Sequence, residues 1–182
     1  MTAARVVLNY RDYAALPNDG RRYEIHEGEL SVTPAPSPKH QIVSANLVRA
    51  LDAHVRSRRL GLVLYAPLDI ILSDTTVVQP DIVYLDQTRA GAITSRGIEG
   101  PPTLVIEILS PSTSEADRHT KLQLYARHRI PHYWIVDPDA RVVEAYALGV
   151  ERYVLSSRIS GDGALSAAPF SDLELPAASL WS

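Results

Sequence analysis

Residues 103–121 read TLVIEILSPSTSEADRHTK, and this stretch decides the fold class because it joins a buried strand to a helix. The aliphatic residues of Leu104–Leu109 form the near-continuous apolar run that is typical of a strand covered on both faces of a sheet. Glu107 interrupts that run. An unpaired carboxylate is costly to bury in its ionised form, so we expect Glu107 to be neutral, paired, bound to a metal, or placed at a strand end that water reaches.

The composition indicates one soluble globular unit. The chain has 182 residues, of which 46% are hydrophobic, which suits a single domain over residues 1–182 with a substantial core. Cysteine is absent, so disulfides and thiolate-bound zinc are excluded, and any metal must use carboxylate, imidazole, carbonyl or water ligands. The start, MTAARVVLNYRDY, resembles neither a signal peptide nor a membrane span, so we expect a cytoplasmic protein with no membrane partner.

The charge balance gives no sign of a strongly basic surface. The formal net charge is −3, from 18 Lys and Arg against 21 Asp and Glu, which argues mildly against tight, sequence-independent DNA binding. Only Lys39 and Lys121 are lysines, so a lysine is an unusual choice of cation in this chain.

Hydrophobic periodicity and turn residues predict strands before and after two long helices. The first part of the chain is expected to contain a short helix at Asn9–Leu16, a hairpin at 21–33 around Glu27-Gly28, a helix of about five turns with Ser37 as N-cap and Pro38 at its first position, and one bent strand or two strands at 61–72. The rest is expected to contain a strand beginning near Gln79 or Pro80, a loop at 88–102, the strand around Glu107, a helix capped by Ser or Thr, a strand at 132–137, a hairpin at 141–156 and short segments after Ser160. This order indicates an α/β protein with a mixed β-sheet.

A second carboxylate gives Glu107 a partner. Asp81 follows Pro80 and opens the apolar strand IVYL, so it is expected at a strand end next to Glu107. Two carboxylates at neighbouring strand ends can hold a hard cation such as Mg²⁺ or Mn²⁺, and the backbone carbonyl of Ile108 could supply a third ligand.

The helix predicted after Glu107 supplies a cation for the predicted pair of carboxylates. Strand alternation puts Leu109, not a lysine, on the face of Glu107. Lys121 is the nearest lysine, and Asp117 and Tyr125 stand one turn before and one turn after it on the same helical stripe. If the stripe faces the end of the sheet, the ammonium reaches the metal site or a bound phosphate.

These residues resemble a known family. Pro80-Asp81 followed by Glu107-x-Leu109 is similar to the PD-(D/E)xK nuclease signature with its lysine moved to the next helix. The blocks YEIHEGEL, PAPSPKHQIV, VQPDIVYL, PTLVIEILSPST and DRHTKLQLYARHRIPHYWIVDP cover most of residues 22–138 and resemble the Uma-two family of predicted restriction endonucleases. The resemblance implies a restriction-endonuclease-like core, a central mixed β-sheet flanked by α-helices, and often a homodimer.

The resemblance also implies roles for single residues. Asp81 and Glu107 would be metal ligands, Lys121 the migrated catalytic lysine and Tyr125 a nearby helper. The sequence departs from the PD-(D/E)xK signature at Leu109, because the signature has its lysine at this position.

Glu24 and His40 match recurrent family positions and are candidate accessory residues. Each candidate also has a structural explanation that the sequence leaves open: an arginine or amide partner for Glu107, an i,i+4 pair of Lys121 with Asp117, packing of the Tyr125 ring, a plain helix-start role for His40, and a cross-strand pair of Glu24 with Arg21 or Arg22.

The function expected from this pattern is a metal-dependent phosphodiesterase that acts as an endonuclease on nucleic acid, with DNA as the expected substrate. Magnesium or manganese would activate a water for in-line attack on phosphorus, and Lys121 would stabilise charge or position that water. Two alternatives remain: a binding or scaffold protein that keeps the fold without turnover, and a hydrolase of a small phosphodiester. Steep salt dependence of binding would separate a nucleic-acid substrate from a small one.

Overall fold

The computed structural model describes residues 6–161 and 163–182. Residues 1–5, on which part of the expectation about a signal peptide rests, and residue 162 lie outside the described part. The helical elements are α1 (Tyr10–Ala14), α2 (Pro38–Arg58), a π-helical segment (Ala116–Lys121) that runs into α3 (Leu122–Arg127), and 3₁₀ turns at Gln87–Ala92 and Ala177–Leu180. The strands are β1 (Arg22–His26), β2 (Glu29–Thr33), β3 (Gly61–Tyr65), β4 (Ile70–Ser73), β5 (Thr76–Val78), β6 (Ile82–Asp86), β7 (Ile93–Thr94), β8 (Gly97–Glu99), β9 (Leu104–Ile108), β10 (His132–Asp137), β11 (Val142–Leu148), β12 (Tyr153–Ser160), β13 (Ala164–Ala167) and β14 (Phe170–Pro176).

A six-stranded central sheet has the order β12-β11-β10-β9-β6-β3. Strands β9 and β10 run parallel, while β6 pairs antiparallel with both β9 and β3. The sheet is therefore mixed, and helices cover it, which confirms the predicted α/β class.

Strand alternation on β9 sorts its side chains between two cores. Leu104, Ile106 and Ile108 pack with α2 on one face of the sheet. Val105 and Leu109 pack with α3 on the other face. Glu107 belongs to the second set by period-2 alternation, so its carboxylate faces the helix that carries the predicted lysine.

A second six-stranded sheet, with the order β2-β1-β5-β4-β8-β7, was not expected from the sequence. Its buried residues Ile70, Val78 and Ile98 join the core on the α3 side of the central sheet. The α3 segment consequently shares one hydrophobic core with residues of both sheets.

Several local predictions are confirmed. The hairpin at 21–33 forms as β1 and β2, with Glu27 and Gly28 both at positive φ in the turn. Helix α2 begins at Pro38, and the hydroxyl of Ser37 accepts the amide of His40 at 3.3 Å.

Other boundaries were wrong. The strand predicted from Gln79 or Pro80 begins at Ile82, because Val77 and Val78 belong to β5 in the other sheet. The predicted loop at 88–102 contains the 3₁₀ turn, β7 and β8. The helix after Glu107 has no side-chain cap at its π-helical start, and the tail after Ser160 forms the β13–β14 hairpin rather than loops alone.

Membrane-spanning helices are not found in the described residues, since none of the helices there is both long and apolar enough to cross a bilayer.

Candidate active site

The two predicted strand-end acids meet between β6 and β9. Ile82 pairs with Ile106 in the antiparallel register, so Asp81 stands one residue before β6 beside the end of β9. The amide of Ile108 donates a hydrogen bond of 2.8 Å to Oδ2 of Asp81. Asp81 is 4% exposed and Glu107 is 2% exposed, so both carboxylates lie below the surface and need partners.

Asp81 is held by two side chains besides that amide. Nη1 of Arg22 on β1 donates to Oδ1 at 3.1 Å, and Nε2 of His40 in the first turn of α2 lies 3.0 Å from Oδ2. Burial would raise the pKa of Asp81, but the contacts with His40, Arg22 and the Ile108 amide together lower it. Asp81 is therefore an ionised carboxylate, placed by elements from both sheets and α2.

The pKa of Glu107 is shifted upward, in the opposite direction to that of Asp81. Its Oε1 accepts hydrogen bonds from Nζ of Lys121 at 2.9 Å and from the hydroxyl of Tyr125 at 2.6 Å. Burial raises its pKa to about 8, and the nearby Asp117 and Asp81 add to that rise, against the opposing effect of Lys121. At neutral pH the acid thus retains its proton for most of the time unless further positive charge arrives.

Lys121 lies at the centre of the acids. Its ammonium is 2.9 Å from Glu107, 3.2 Å from Oε2 of Glu24 and 3.5 Å from Oδ1 of Asp117. Burial alone would lower the pKa of Lys121, but the surrounding carboxylates raise it well above its ordinary value. The lysine is a permanent cation here, and its π-helical segment is of the kind that is often found at functional sites.

Glu24 on β1 completes the enclosure of the ammonium. It lies 3.1 Å from Nε2 of His26 and accepts the amide of Gln79 at 2.6 Å. Burial would raise the pKa of Glu24, but Lys121 and His26 outweigh it and hold this pKa well below its usual range.

A cavity of about 200 Å³ opens onto the acids. Asp81, Glu107 and Lys121 line it, and its walls are the extended segment 33–37 and the loop 110–113. The polar groups at its base could therefore meet a phosphate that enters from solvent.

The side chains at the cavity fit a hard divalent cation. Four buried acids face only two permanent cations: the acids are Glu24, Asp81, Glu107 and Asp117, and the cations are Arg22 and Lys121. Burial is the main cause of the raised pKa of Glu107, and the neighbouring acids Asp117, Asp81 and Glu24 add to it, as this excess of acids predicts. Carboxylate oxygens are the ligands that Mg²⁺ and Mn²⁺ prefer.

Within residues 6–161 and 163–182, no group of three or more Asp, Glu or His side chains is arranged to hold a metal ion. An ion would thus rest on few protein oxygens, which is the usual situation for Mg²⁺. Asp81, Glu107 and the backbone carbonyl of Ile108 stay the predicted ligands, and water or substrate would complete the coordination.

The structure thus brings all the predicted site residues together: Asp81, Glu107, Lys121, Tyr125, Glu24 and His40. Their catalytic and metal-binding roles stay predictions. The structural explanation offered for Glu24 was wrong, because its cation is Lys121 and not Arg21 or Arg22. For Lys121 the offered explanation was a solvated residue paired with Asp117: the pair is found, at 3.5 Å, but the lysine is buried and not solvated.

Sequence reasoning missed the importance of Arg22 and His26. Both flank Glu24 at two-residue spacing on β1, and period-2 alternation puts Arg22, Glu24 and His26 on one face. That spacing was the signal that could have found them.

A mixed sheet that carries acids at a strand end, with a lysine on the following helix, defines a protein of the restriction-endonuclease-like fold. The model of the Uma2 (Uma-two) family, described as "Putative restriction endonuclease", matches residues 10–178, and the chain belongs to this family. A crystal structure described as a putative nuclease belonging to DUF820 from Anabaena variabilis is similar, with a TM-score of 0.79, 23% sequence identity, and coverage of 96% of this chain and 97% of that chain. That likeness shows a shared fold. No curated protein matches the chain.

Proposed function

We propose that this chain is a metal-dependent phosphodiesterase that acts as an endonuclease on nucleic acid. The observation that carries the proposal is the buried Lys121 ammonium, 2.9 Å from Glu107 at the base of an open cavity that Asp81 also lines. Membership of a family described as restriction endonucleases supports a nuclease in general terms. The metal, the substrate and turnover itself are parts of the proposal.

Each side chain has a task that its contacts support. Lys121 is a fixed cation that stabilises negative charge developing on the phosphate. Tyr125 orients Glu107 through its hydroxyl, and Arg22 and His40 hold Asp81 in place.

The proposed metal site consists of Asp81, Glu107 and the Ile108 carbonyl. Mg²⁺ or Mn²⁺ bound there would supply water activation and charge neutralisation at a phosphodiester. Glu107 must lose its proton to serve as a ligand, so its raised pKa makes metal binding at neutral pH a proton-releasing event.

The experiment is a cleavage assay on supercoiled plasmid and labelled oligonucleotides with Mg²⁺, Mn²⁺ or a chelator. Glu107→Gln is the test variant, because it keeps the size of the side chain and removes the charge. Glu174→Gln is the matched control, since Glu174 is exposed on β14 and lines neither the cavity nor the acid cluster.

We expect metal-dependent cleavage by the parent and by Glu174→Gln, and a fall of roughly 100-fold or more in Glu107→Gln. Circular dichroism must show that the variants are folded. A folded parent without cleavage in either metal would leave the non-catalytic scaffold as the better description. Cleavage confined to a small diester such as bis(p-nitrophenyl) phosphate would favour the small-substrate hydrolase.

The proposal includes a homodimer, as the family resemblance implies. The outermost strand of the central sheet, β12, exposes Val154 and Leu155 at 58% and 47%, which leaves apolar surface available for a second copy. Light scattering on the purified protein measures the mass directly, and a monomer at assay concentrations would remove this part of the proposal.

A further inference from the structure

A second cavity, of about 340 Å³, adjoins the candidate active site. The two cavities share Arg22, His40, Asp81 and the segment 33–36 as a common wall. A chain molecule whose phosphate reaches Asp81 could therefore continue into the second cavity without leaving the protein surface.

Tyr65 lines the second cavity and is 60% exposed. It ends β3, an edge strand of the central sheet, and is paired with Ile82, the residue after Asp81. The amide of the next residue, Ala66, donates to the Asp81 carbonyl at 3.0 Å, which fixes this strand end next to the active site. Among the described residues, no aromatic ring or cation stacks on Tyr65.

The charges around the second cavity suit a phosphate backbone. Arg21 and Arg22 both line it, and among the described residues Asp81 is the one acid in its lining. The charge of the Asp81 carboxylate is offset by its ion pair with Arg22. Arg21 is exposed and forms a surface ion pair of 3.4 Å with Asp19, so its guanidinium can exchange that partner for a phosphate.

The depth of the acids favours a single strand over a duplex. Asp81 and Glu107 are 4% and 2% exposed and lie behind the segment 33–37. A duplex is stiff on the length scale of this site, so bending its backbone into the cavity costs deformation energy that a single strand does not pay. A single strand can bend and unstack, and its bases then need an aromatic surface.

We propose, on the basis that the proposed nuclease function holds, that the second cavity is a nucleotide subsite for single-stranded nucleic acid, in which Tyr65 stacks on a base and Arg21 contacts the adjoining phosphate. Stacking does not distinguish the bases strongly. We therefore expect weak sequence preference at the subsite.

The test measures binding in a chelator, so that no cleavage occurs, by fluorescence anisotropy of a labelled single-stranded oligonucleotide and of its duplex. The variants are Tyr65→Ala, which removes the ring, and Tyr65→Phe, which keeps it. Leu62→Ala is the matched control, because Leu62 is also exposed on β3 but does not line the cavity. Hydrolysis of bis(p-nitrophenyl) phosphate with Mn²⁺ serves as a second readout that needs no base stacking.

We expect the parent to bind the single strand more tightly than the duplex. Tyr65→Ala should weaken single-strand binding roughly tenfold, while Tyr65→Phe and Leu62→Ala should bind as the parent does. Hydrolysis of the small diester should be the same in Tyr65→Ala and the parent.

The possible failures are distinguishable. Nucleic-acid cleavage with equal binding of single strand and duplex, or with no effect of Tyr65→Ala, overturns the subsite and leaves the nuclease intact. Binding of the single strand that depends on the Tyr65 ring, without cleavage in any metal, supports the subsite and contradicts the catalytic proposal. Absence of binding to either nucleic acid overturns the subsite, and only absence of cleavage in both Mg²⁺ and Mn²⁺ overturns the nuclease as well.

Discussion

Replacing Glu107 by glutamine should change how the stability of the metal-free protein depends on pH. The pKa of this acid is raised from 4.5 to about 8 by burial and by the neighbouring carboxylates. Between these two pH values the folded protein holds a proton that the unfolded chain has lost. The free energy of unfolding therefore falls as pH rises through this window, and the slope disappears above the folded pKa.

The size of the effect follows from the width of the window. One proton held by the folded state alone corresponds to about 1.4 kcal/mol per pH unit. From pH 4.5 to about 8 the Glu107 carboxyl thus removes up to roughly 5 kcal/mol from the stability of the parent. The glutamine in Glu107→Gln does not ionise, so the variant lacks this pH-dependent loss of stability. Relative to the parent, the variant should gain stability steadily over the same range, whatever its stability at pH 5.

The assay is urea denaturation at several pH values from 5 to 8 in the presence of a chelator. The difference between Glu107→Gln and the parent is the measured quantity, because other titrating groups contribute to both. Asp117, whose pKa is also raised by burial, remains in both proteins. The free energy of unfolding of Glu174→Gln should depend on pH as that of the parent does. Parallel profiles for Glu107→Gln and the parent would refute the assigned charge state of the site.

Three further predictions concern the same cluster. Addition of Mg²⁺ at pH 7 should release close to one proton per bound ion, because Glu107 with a pKa of about 8 is mostly protonated beforehand. Calorimetry in buffers of different ionisation enthalpy measures this proton release. If Glu107→Gln released the same number of protons, Glu107 would not be their source. Arg22→Gln should lower the free energy of unfolding in urea by roughly 2–3 kcal/mol, because it removes a charged partner from buried Asp81. A loss below about 0.5 kcal/mol would show that this ion pair contributes little to stability. Tyr125→Phe should cost about 1–3 kcal/mol by the same method, since the 2.6 Å hydrogen bond to Glu107 is lost while the ring stays packed; unchanged stability would mean that the hydroxyl has no structural role.

Local patterns were sufficient for the elements that carry the site. The aliphatic run around Glu107 predicts β9, and period-2 alternation puts Glu107 on the same face as Leu109. The Lys121 stripe likewise predicts a lysine one turn from Asp117, which is found at 3.5 Å. These inferences succeed because they need only the geometry of one strand and one helix.

The second sheet could not be read from the same patterns. Its strands β5, β7 and β8 have two or three residues each, too short for a hydrophobic period to be distinguished from a loop. Its pairing β1 with β5 joins residues far apart in the chain, at Ile25 and Val77. Arg22 and Glu24 reach the site through this pairing, so their contacts with Asp81 and Lys121 depend on long-range topology that local sequence does not encode.

The energetics of Glu107 bear on whether the site serves the fold or a ligand. Buried ionic groups can often be replaced by apolar residues of similar volume without loss of stability. A scaffold that needed only its fold would do as well with an uncharged residue at position 107, whose carboxyl costs stability at neutral pH. The excess of acids over cations is unfavourable until positive charge enters, and the cavity beside Asp81 and Glu107 is where it can enter. A strained charge balance next to an open cavity is expected of a cation-binding site, and it supports the metal site that we propose.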